Sequence, residues 1–583
     1  MHVDAVPNRG SRPAYLLRES FRQGAKVKKR TLANLSALPD EQIFAIRAVL
    51  RGEQLQPVGE LFEAIASRPH GHVHAVRLAM QRLGFDALLA SRPSPQRDLV
   101  CAMVAARILA PQTKLATTRW WHTTTLAEEF GVSACDEDDL YAAMDWLLAR
   151  QGTIEKKLAA RHLGEGSLVL YDLSSSYFEG LTCPLAKFGY NRDGKKGKLQ
   201  VNYGLLTDRR GCPVAVAVHE GNTSDPETLM PQVARLRKDF GLQTVVLVGD
   251  RGMISQKAID QLKEREHVGW ITALKSGQIR ALIEAGQLQL GLFDEKNLFE
   301  LSHPDFPAER LIACRNPELA RLRAHKRQSL LEATEKELAK VKAMVERRRL
   351  SGRDAIGVRI GKVVNKYKVA KHFALDIEDH RFSFRRLEAS IAVEAALDGI
   401  YVIRTSVAHQ QMTAADCVRN YKSLAEVERA FRSLKTIDLK IRPIHHRLAD
   451  RVRSHILLCV LAYYVEWHMR EAWRPLLFAD HQLLAKTSRD PVAAAQRSPA
   501  ARAKAASHLL DDSTPVHSFH TLQQELATIV RNTCRAPKAG NAAPTFHLTT
   551  TPNSKQSRAF ELLNSIHLWT DSRTPAPLYL PES

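Results

Sequence analysis

Residues 244–252, TVVLVGDRG, constrain the fold more than any other stretch of the chain. Five apolar or β-branched residues follow one another without polar alternation, the pattern of a short strand buried on both faces of a mostly parallel sheet. The run stops at Gly249-Asp250-Arg251-Gly252. Ligands and catalytic groups collect beyond the carboxyl ends of strands in open α/β sheets, so Asp250 is well placed for chemistry. A carboxylate buried there without a partner or a metal would be costly. Taken alone, Asp250 has a plainer reading, as an ion pair with Arg251 or a cap on the helix beginning near Ser255.

The flanking pattern favours chemistry. Residues 167–173, SLVLYDL, read as another buried strand, with Asp172 near its end. Residues 199–207 and 213–219 read as two further strands that turn at Asp208-Arg209-Arg210-Gly211. Asp225-Pro226-Glu227 opens a helix reaching about Phe240, with Asp225 expected as its cap. After the Asp250 strand come a helix (256–266) and a strand (268–274). This order is that of the ribonuclease H-like fold, whose first and fourth strands lie side by side. Asp172 and Asp250 are therefore expected to be neighbours.

Residues 276–398 interrupt the pattern. Asn316-Pro317-Glu318 starts a long charged helix to about Arg349, with a thin apolar seam of Leu319, Leu322, Leu330, Leu338, Val341 and Val345. Two β-like pieces, 358–367 and 373–375, follow, and the segment reads as an inserted domain. The core resumes with the strand 399–405, GIYVIRT, and a capping box at Thr413–Asp416 opens a helix to about Lys435. On one continuous helix Cys417, Tyr421, Leu424, Glu428 and Phe431 share a face, which sets Glu428 on the core-facing side. Lys435 falls on that face too. A salt bridge from Glu428 to Arg432 or Lys435 is the plain account; beside two strand-end aspartates, Glu428 is a third convergent carboxylate.

The chain is thus expected to be α/β, with a ribonuclease H-like core in residues 166–275 and 399–475 interrupted by residues 276–398. Residues 1–70 read as a basic hairpin (15–22 and 26–33, bearing Lys26, Lys28, Lys29 and Arg30) and a short helix (39–51). That unit is as consistent with lying on DNA as with being a solvated hairpin. His70, His72 and His74 have a spacing that would suit a metal, but strand alternation alone produces it and no acid or cysteine completes a set. Residues 71–165 are helical and a possible DNA-binding domain, with 126–133 similar to the start of a helix-turn-helix. The would-be recognition helix begins Cys135-Asp136-Glu137-Asp138-Asp139, whose acids would repel phosphate, so packing is its better role. A strongly apolar helix is expected at 447–470, and residues 476–583 read as a helical region and tail, Ala-rich at 494–508, helical at 517–532 and loose at 536–556.

Lys and Arg number 84 against 63 Asp and Glu, a net charge of +21 that points to an anionic partner, nucleic acid first. The 8 cysteines are scattered with no CxxC pair, so neither a zinc nor a redox motif is expected, and they suit the reduced thiols of a cytosolic chain. Residues 1–9 lack a signal core, and the longest apolar run, 456–465, is too short to span a bilayer. No membrane is expected, and the chain reads as cytoplasmic. Three converging acids suit Mg²⁺ or Mn²⁺, and a pair of such cations can drive phosphodiester chemistry without a nucleophilic side chain.

Five stretches carry a further likeness: YDLSSSYFEG (171–180), FGYNRDGKKGK (188–198), EGNTSDPETL (220–229), VVLVGDRGMI (245–254) and YKSLAEVERAFRSLK (421–435). Together they make the chain resemble transposases of bacterial insertion sequences, of the Asp-Asp-Glu class and the IS-four superfamily, whose core carries a large insertion before the glutamate. That branch has a tyrosine, arginine, glutamate and lysine signature; Tyr421, Glu428 and Lys435 match it, and Leu424 stands at the arginine position. The resemblance implies Asp172, Asp250 and Glu428 as catalytic metal ligands, Tyr421 in positioning, and Lys435 and Arg251 at DNA or phosphate. Lys422, Arg429 or Arg432 would supply the missing arginine charge. It also implies double-stranded DNA with terminal inverted repeats, a homodimer in a synaptic complex, strand cleavage and transfer through a 3′ hydroxyl, and work at the bacterial nucleoid. Two rivals remain. One is a nuclease on the same core; the other is a non-catalytic DNA-binding protein or inactivated transposase, against which the intact triad argues.

Overall fold

The computed structural model describes residues 1–53, 62–289, 291, 293, 296–480, 489–493, 496–536 and 544–566. Met1–Pro69 with Ile529–Thr551 form one compact unit, and the rest of the described chain forms a second. In the first, β1 (His2–Asn8), β2 (Ser11–Gln23) and β3 (Lys26–Asn34) make an antiparallel meander, followed by the Asp40–Leu50 helix. The expected basic hairpin is its β2–β3 half. Lys29 bonds Asp4 at 3.0 Å and Arg30 bonds Glu19 at 2.9 Å, while Lys26 and Lys28 stand exposed. A further strand, β4 (Glu63–Pro69), closes this part of the chain.

The second unit begins with the Gly71–Arg82 helix. His72 and His74 therefore lie on a helix and not on the alternating strand their spacing suggests, because Val73, Val76, Ala79 and Met80 supply a buried helical stripe. The Pro95–Leu109 and Glu137–Leu148 helices pack with Ala449–Ala472, a helix buried over most of its length. Asp136 caps Glu137–Leu148, which buries Leu140, Ala143, Met144 and Leu147, so this acidic helix is a packing element. Among the described residues no single helix is long and apolar enough to cross a membrane.

The large sheet is built on β5 (Ser167–Tyr177), β6 (Gln200–Asp208) and β7 (Pro213–Glu220), an antiparallel meander. Then β8 (Val245–Val248) runs parallel to β5, and β9 (Val268–Ala273) parallel to β8. The first and fourth of these strands are side by side. All four residues of β8 are buried, as an uninterrupted apolar run requires. Between β7 and β8, Ser224 rather than Asp225 caps the Asp225–Lys238 helix, in a capping box with Glu227. Asp225 falls one residue inside and pairs with Arg192.

Residues 276–398 do two things. β10 (Leu298–Leu301) and β11 (Arg310–Arg315) continue the large sheet, while β12 (Phe373–Ile377) and β13 (Phe382–Arg386) form a separate hairpin. β14 (Ile400–Thr405) lies between β9 and β11, so the sheet reads β10-β11-β14-β9-β8-β5-β6-β7. Leu311 and Ala313 join Leu274, Ile279, Leu282 and Val402 in one core cluster. The charged helix runs Pro317–Glu346 and packs on Arg353–Tyr367. Residues 358–367 are thus helix, not strand: Ile356 and Ile360, one turn apart, are buried with Leu338, Val341 and Val345, and that packing overrides β-branched propensity.

After the Ala449–Ala472 helix come Pro499–Ser507 and Phe519–Ala527, and Ser554–Asn564 is helical as well. In the first unit, β15 (Val530–Arg535) pairs with both β4 and β16 (Thr545–Thr549). Much of the expected loose tail at 536–556 is therefore strand and helix; its residues 537–543, like 494–495 of the Ala-rich stretch and 481–488 and 567–583 of the C-terminal region, lie outside the described residues. Ile312, on β11, is fully buried, and Ile312→Ala is expected to lower global stability by about 2–4 kcal/mol in denaturant unfolding. A loss below about 0.5 kcal/mol, the range of surface substitutions, would contradict a place for β11 inside the main core.

Candidate active site

Parallel pairing fixes the first two acids. Ser167 pairs with Val245 and Leu170 with Val248 in an unbroken register. Asp172, inside β5, and Asp250, just past the end of β8, each lie two residues beyond that last pair, on neighbouring stretches of chain. The Asp172 carboxylate accepts the Leu173 N–H at 2.8 Å. The exposed Asp250 accepts the N–H groups of Gly252 at 2.9 Å and Met253 at 2.7 Å, which fold the strand end into a turn. The cap of the next helix is Ser255, whose Oγ accepts from Ala258, so Asp250 is not spent on capping it.

Glu428 comes from the Leu424–Arg432 helix, which packs on β5. It is exposed, not core-facing: the buried residues are Val427, Ala430 and Phe431. The expected continuous helix is broken at Ser423 between Ala414–Lys422 and Leu424–Arg432, so positions before the break do not predict the face after it. Glu428 is still close enough to act on Asp172. Burial first, then the negative charges of Asp250 and Glu428, push the half-buried Asp172 carboxyl up to about 7, against the Leu173 hydrogen bond and the nearby Arg192 cation. Asp172, Asp250 and Glu428 form no ion pair among the described residues, in a chain of net charge +21. Carboxylates that act on one another without ion-pair partners offer oxygen donors of the kind hard divalent cations take.

The other expected residues divide. Tyr421, half-buried, has its hydroxyl pushed up to about 12 by burial and by Asp250, with Arg251 acting the other way and Glu428 adding to it. It is a neutral donor beside the acids. Arg251 and Arg432 are exposed. Lys435 is buried in a π-turn, Ser433–Ile437, and its ammonium bonds Asp193 at 3.0 Å. Burial lowers the Lys435 pKa, and Asp193 counters that. Leu424, at the signature arginine's place, is half-buried.

Sequence reasoning missed three residues. Asp193, with a side chain 2% exposed, also pairs with Arg442 and accepts the Tyr177 N–H at 3.0 Å. Arg192 pairs with Asp225, so two of the stretches singled out in the sequence meet in one ion pair. In FGYNRDGKKGK the only available signal was a lone acid within a run of bases. The helix of Glu428 rests on two fixed supports. The Phe431 ring meets Tyr203 of β6 edge-on at 5.8 Å. A Cβ on Gly211, whose φ is +82°, would lie 2.7 Å from the Cβ of Glu426, so the β6–β7 turn admits no side chain there. Below the π-turn, Ser433 donates to the fully buried Glu466 at 3.0 Å, and Arg470 bonds Glu466 at 2.6 Å and Asp438 at 2.7 Å.

The family described as Transposase DDE domain matches residues 174–465. The chain belongs to the DDE transposase family. It is a DNA transposase, an enzyme of DNA cleavage and transfer, and members of this family work with divalent metal ions. The match takes in Asp250 and Glu428 and starts two residues after Asp172. Residues 3–59 match the N-terminal domain of the IS1634 family of transposases. A cryo-EM structure of the piggyBac transposase synaptic complex with hairpin DNA aligns over 76% of this chain and 85% of that one, at 10% identity and a TM-score of 0.25, too low to carry a structural argument. No curated protein matches the transposase.

The folded chain holds the Asp172 proton more tightly than the unfolded chain, where the value is 3.8; the stability this adds is lost as pH rises through about 7. In EDTA at pH 8, Asp172→Asn is therefore expected to be more stable than wild type by about 2 kcal/mol, with the gain shrinking toward pH 5, as read by thermal melts. Asp193→Ala leaves Lys435 and Arg442 without their shared partner and is expected to cost about 3 kcal/mol in the same melts.

Proposed function

We propose that transposition by this enzyme runs through a single carboxylate site, Asp172, Asp250 and Glu428, on a ribonuclease H-like core formed by residues 166–275 and 399–475. The observation that carries the reading is that Asp172 within β5, Asp250 just beyond β8 and Glu428 on the helix packed against β5 act on one another's charge and, among the described residues, have no ion-pair partner. The oxygen donors fit Mg²⁺ or Mn²⁺, which would activate the attacking hydroxyl and stabilise the leaving oxygen of a phosphodiester. The β5–β8 register holds the chain at Asp172 beside the chain leading into Asp250, and Glu428 closes the set from the helix. Tyr421 offers a neutral hydroxyl to a substrate phosphate beside them.

Arg251 and Arg432, exposed around this site, are the DNA contacts we assign to it. Lys435 acts with them through Asp193, by holding the basic loop 188–198 in place as well as by its own charge. Residues 276–398 form the insertion, whose first two strands extend the core sheet. In the N-terminal unit, Lys26 and Lys28 on the β2–β3 ribbon suit phosphate contacts at a transposon end. The substrate is double-stranded DNA bounded by terminal inverted repeats, engaged by a homodimer in a synaptic complex at the nucleoid, with joining through a 3′ hydroxyl.

The test uses labelled DNA bearing the element's own ends, with Mg²⁺ or Mn²⁺, comparing wild type with Asp250→Ala. Cleavage and joining in the wild type, abolished in the variant with DNA binding retained, are expected. Cleavage without joining would mark a nuclease. Binding without cleavage by the wild type under both metals would leave a non-catalytic DNA-binding protein on this fold.

A further inference from the structure

A second cluster of metal-binding side chains lies away from the acids. His162 ends the Gln151–His162 helix, Cys212 follows the tight turn between β6 and β7, and His468 sits in the Ala449–Ala472 helix. The three are far apart in sequence, which is why CxxC spacing gave no hint of them. Their ligand-bearing atoms lie within 4.8 Å of one another. His162 Nε2 is 4.0 Å from Cys212 Sγ and 3.1 Å from the Tyr464 hydroxyl. Cys212 is fully buried and His468 is 4% exposed.

Each side chain is already oriented. His468 Nδ1 donates to the Tyr464 carbonyl at 2.8 Å, the bond that fixes the tautomer of metal-ligating histidines and leaves Nε2 with a free lone pair. Cys212 is held by its own N–H, which donates to Asp208 at 3.0 Å. Among the described residues His162 Nδ1 is buried with no hydrogen-bond partner, so the ring's hydrogen bonding runs through Nε2. Arg210 stands next to Cys212, but its guanidinium is paired with Asp208 at 2.8 Å. With Zn–S near 2.3 Å and Zn–N near 2.1 Å, the edge of a tetrahedral site is about 3.6 Å, within a small side-chain adjustment of the separation present.

We propose that His162, Cys212 and His468 bind one Zn²⁺-class cation as a structural site, with the Tyr464 hydroxyl or a water in the fourth position. Binding replaces the S–H bond of Cys212 with an S–Zn bond, and the proton leaves to solvent. Thiolate and imidazole select zinc over Mg²⁺, so this metal is chemically separate from any at the carboxylates. Its place gives it a job. It would clamp the β6–β7 turn between two helices, and Gly211 of that turn is the support pressed against Glu426, two residues before Glu428. The cation would thus steady the platform of the third acid from behind.

The inference is independent of the transposition chemistry and is tested without DNA. Tag-free wild-type chain, purified under reducing conditions without chelator, is assayed for metal by plasma mass spectrometry. About one zinc per chain is expected, falling below about 0.2 in Cys212→Ser and His468→Gln. Reconstitution of the wild type with Co²⁺ should give a near-ultraviolet thiolate-to-cobalt band that Cys212→Ser lacks. A folded wild type that holds no zinc and gives no such band overturns the proposal without reference to any variant, leaving a thiol hydrogen-bonded to imidazole. Undiminished zinc in Cys212→Ser overturns it too.

Discussion

The parallel pairing of β5 with β8 is the constraint on which the rest of this structure depends. Two buried apolar strands locked in register bring the chain at Asp172 and just before Asp250 side by side, and among the described residues neither acid has an ion-pair partner. Elsewhere the chain does neutralise enclosed acids. Glu309 pairs with Arg404 at 2.6 Å, Asp193 with Lys435 at 3.0 Å, and Glu466 with Arg470 at 2.6 Å. Against that background Asp172, which faces the negative charges of Asp250 and Glu428 and among the described residues has no ion-pair partner, is a departure from local energetic consistency, and such departures concentrate at functional sites.

The third acid is harder to place than the first two, because a helix has no register with a sheet. Here packing supplies it. Phe431 seats on Tyr203, Gly211 lets the β6–β7 turn come within contact of Glu426, and the Ser433–Glu466–Arg470 network fixes the π-turn that follows. These supports lie on strands β6 and β7 and on the Ala449–Ala472 helix, all inside one compact unit. Binding energy from a cation would then be spent on a geometry already held.

Much of this was legible in the sequence where a single element decided the answer. The apolar run of residues 244–252 announced β8 and its terminal aspartate, and the strand order from Ser167 to Ala273 followed from local periodicity. The failures arose where distant segments decide. Glu428 was set on the wrong face because nothing in the spacing reveals the break at Ser423. Residues 358–367 look like strand until Ile356 and Ile360 find Val341 and Val345 across the hairpin. Lys435 reads as a partner for Glu428 or for a DNA phosphate until a loop 242 residues away delivers Asp193 to it. The pairing of β4 with β15 joins segments with most of the chain between them and left no local trace.

In the proposed site all three acids hold one cation. Fe²⁺ can stand in for Mg²⁺ at such a site, and with ascorbate and peroxide it cuts the backbone nearest to where it sits. Mapping those cuts on the wild-type chain should give breaks at residues next to 172, 250 and 428 together, all suppressed by excess Mg²⁺. Cuts near only one of these positions, or a pattern that excess Mg²⁺ leaves unchanged, would contradict a shared site.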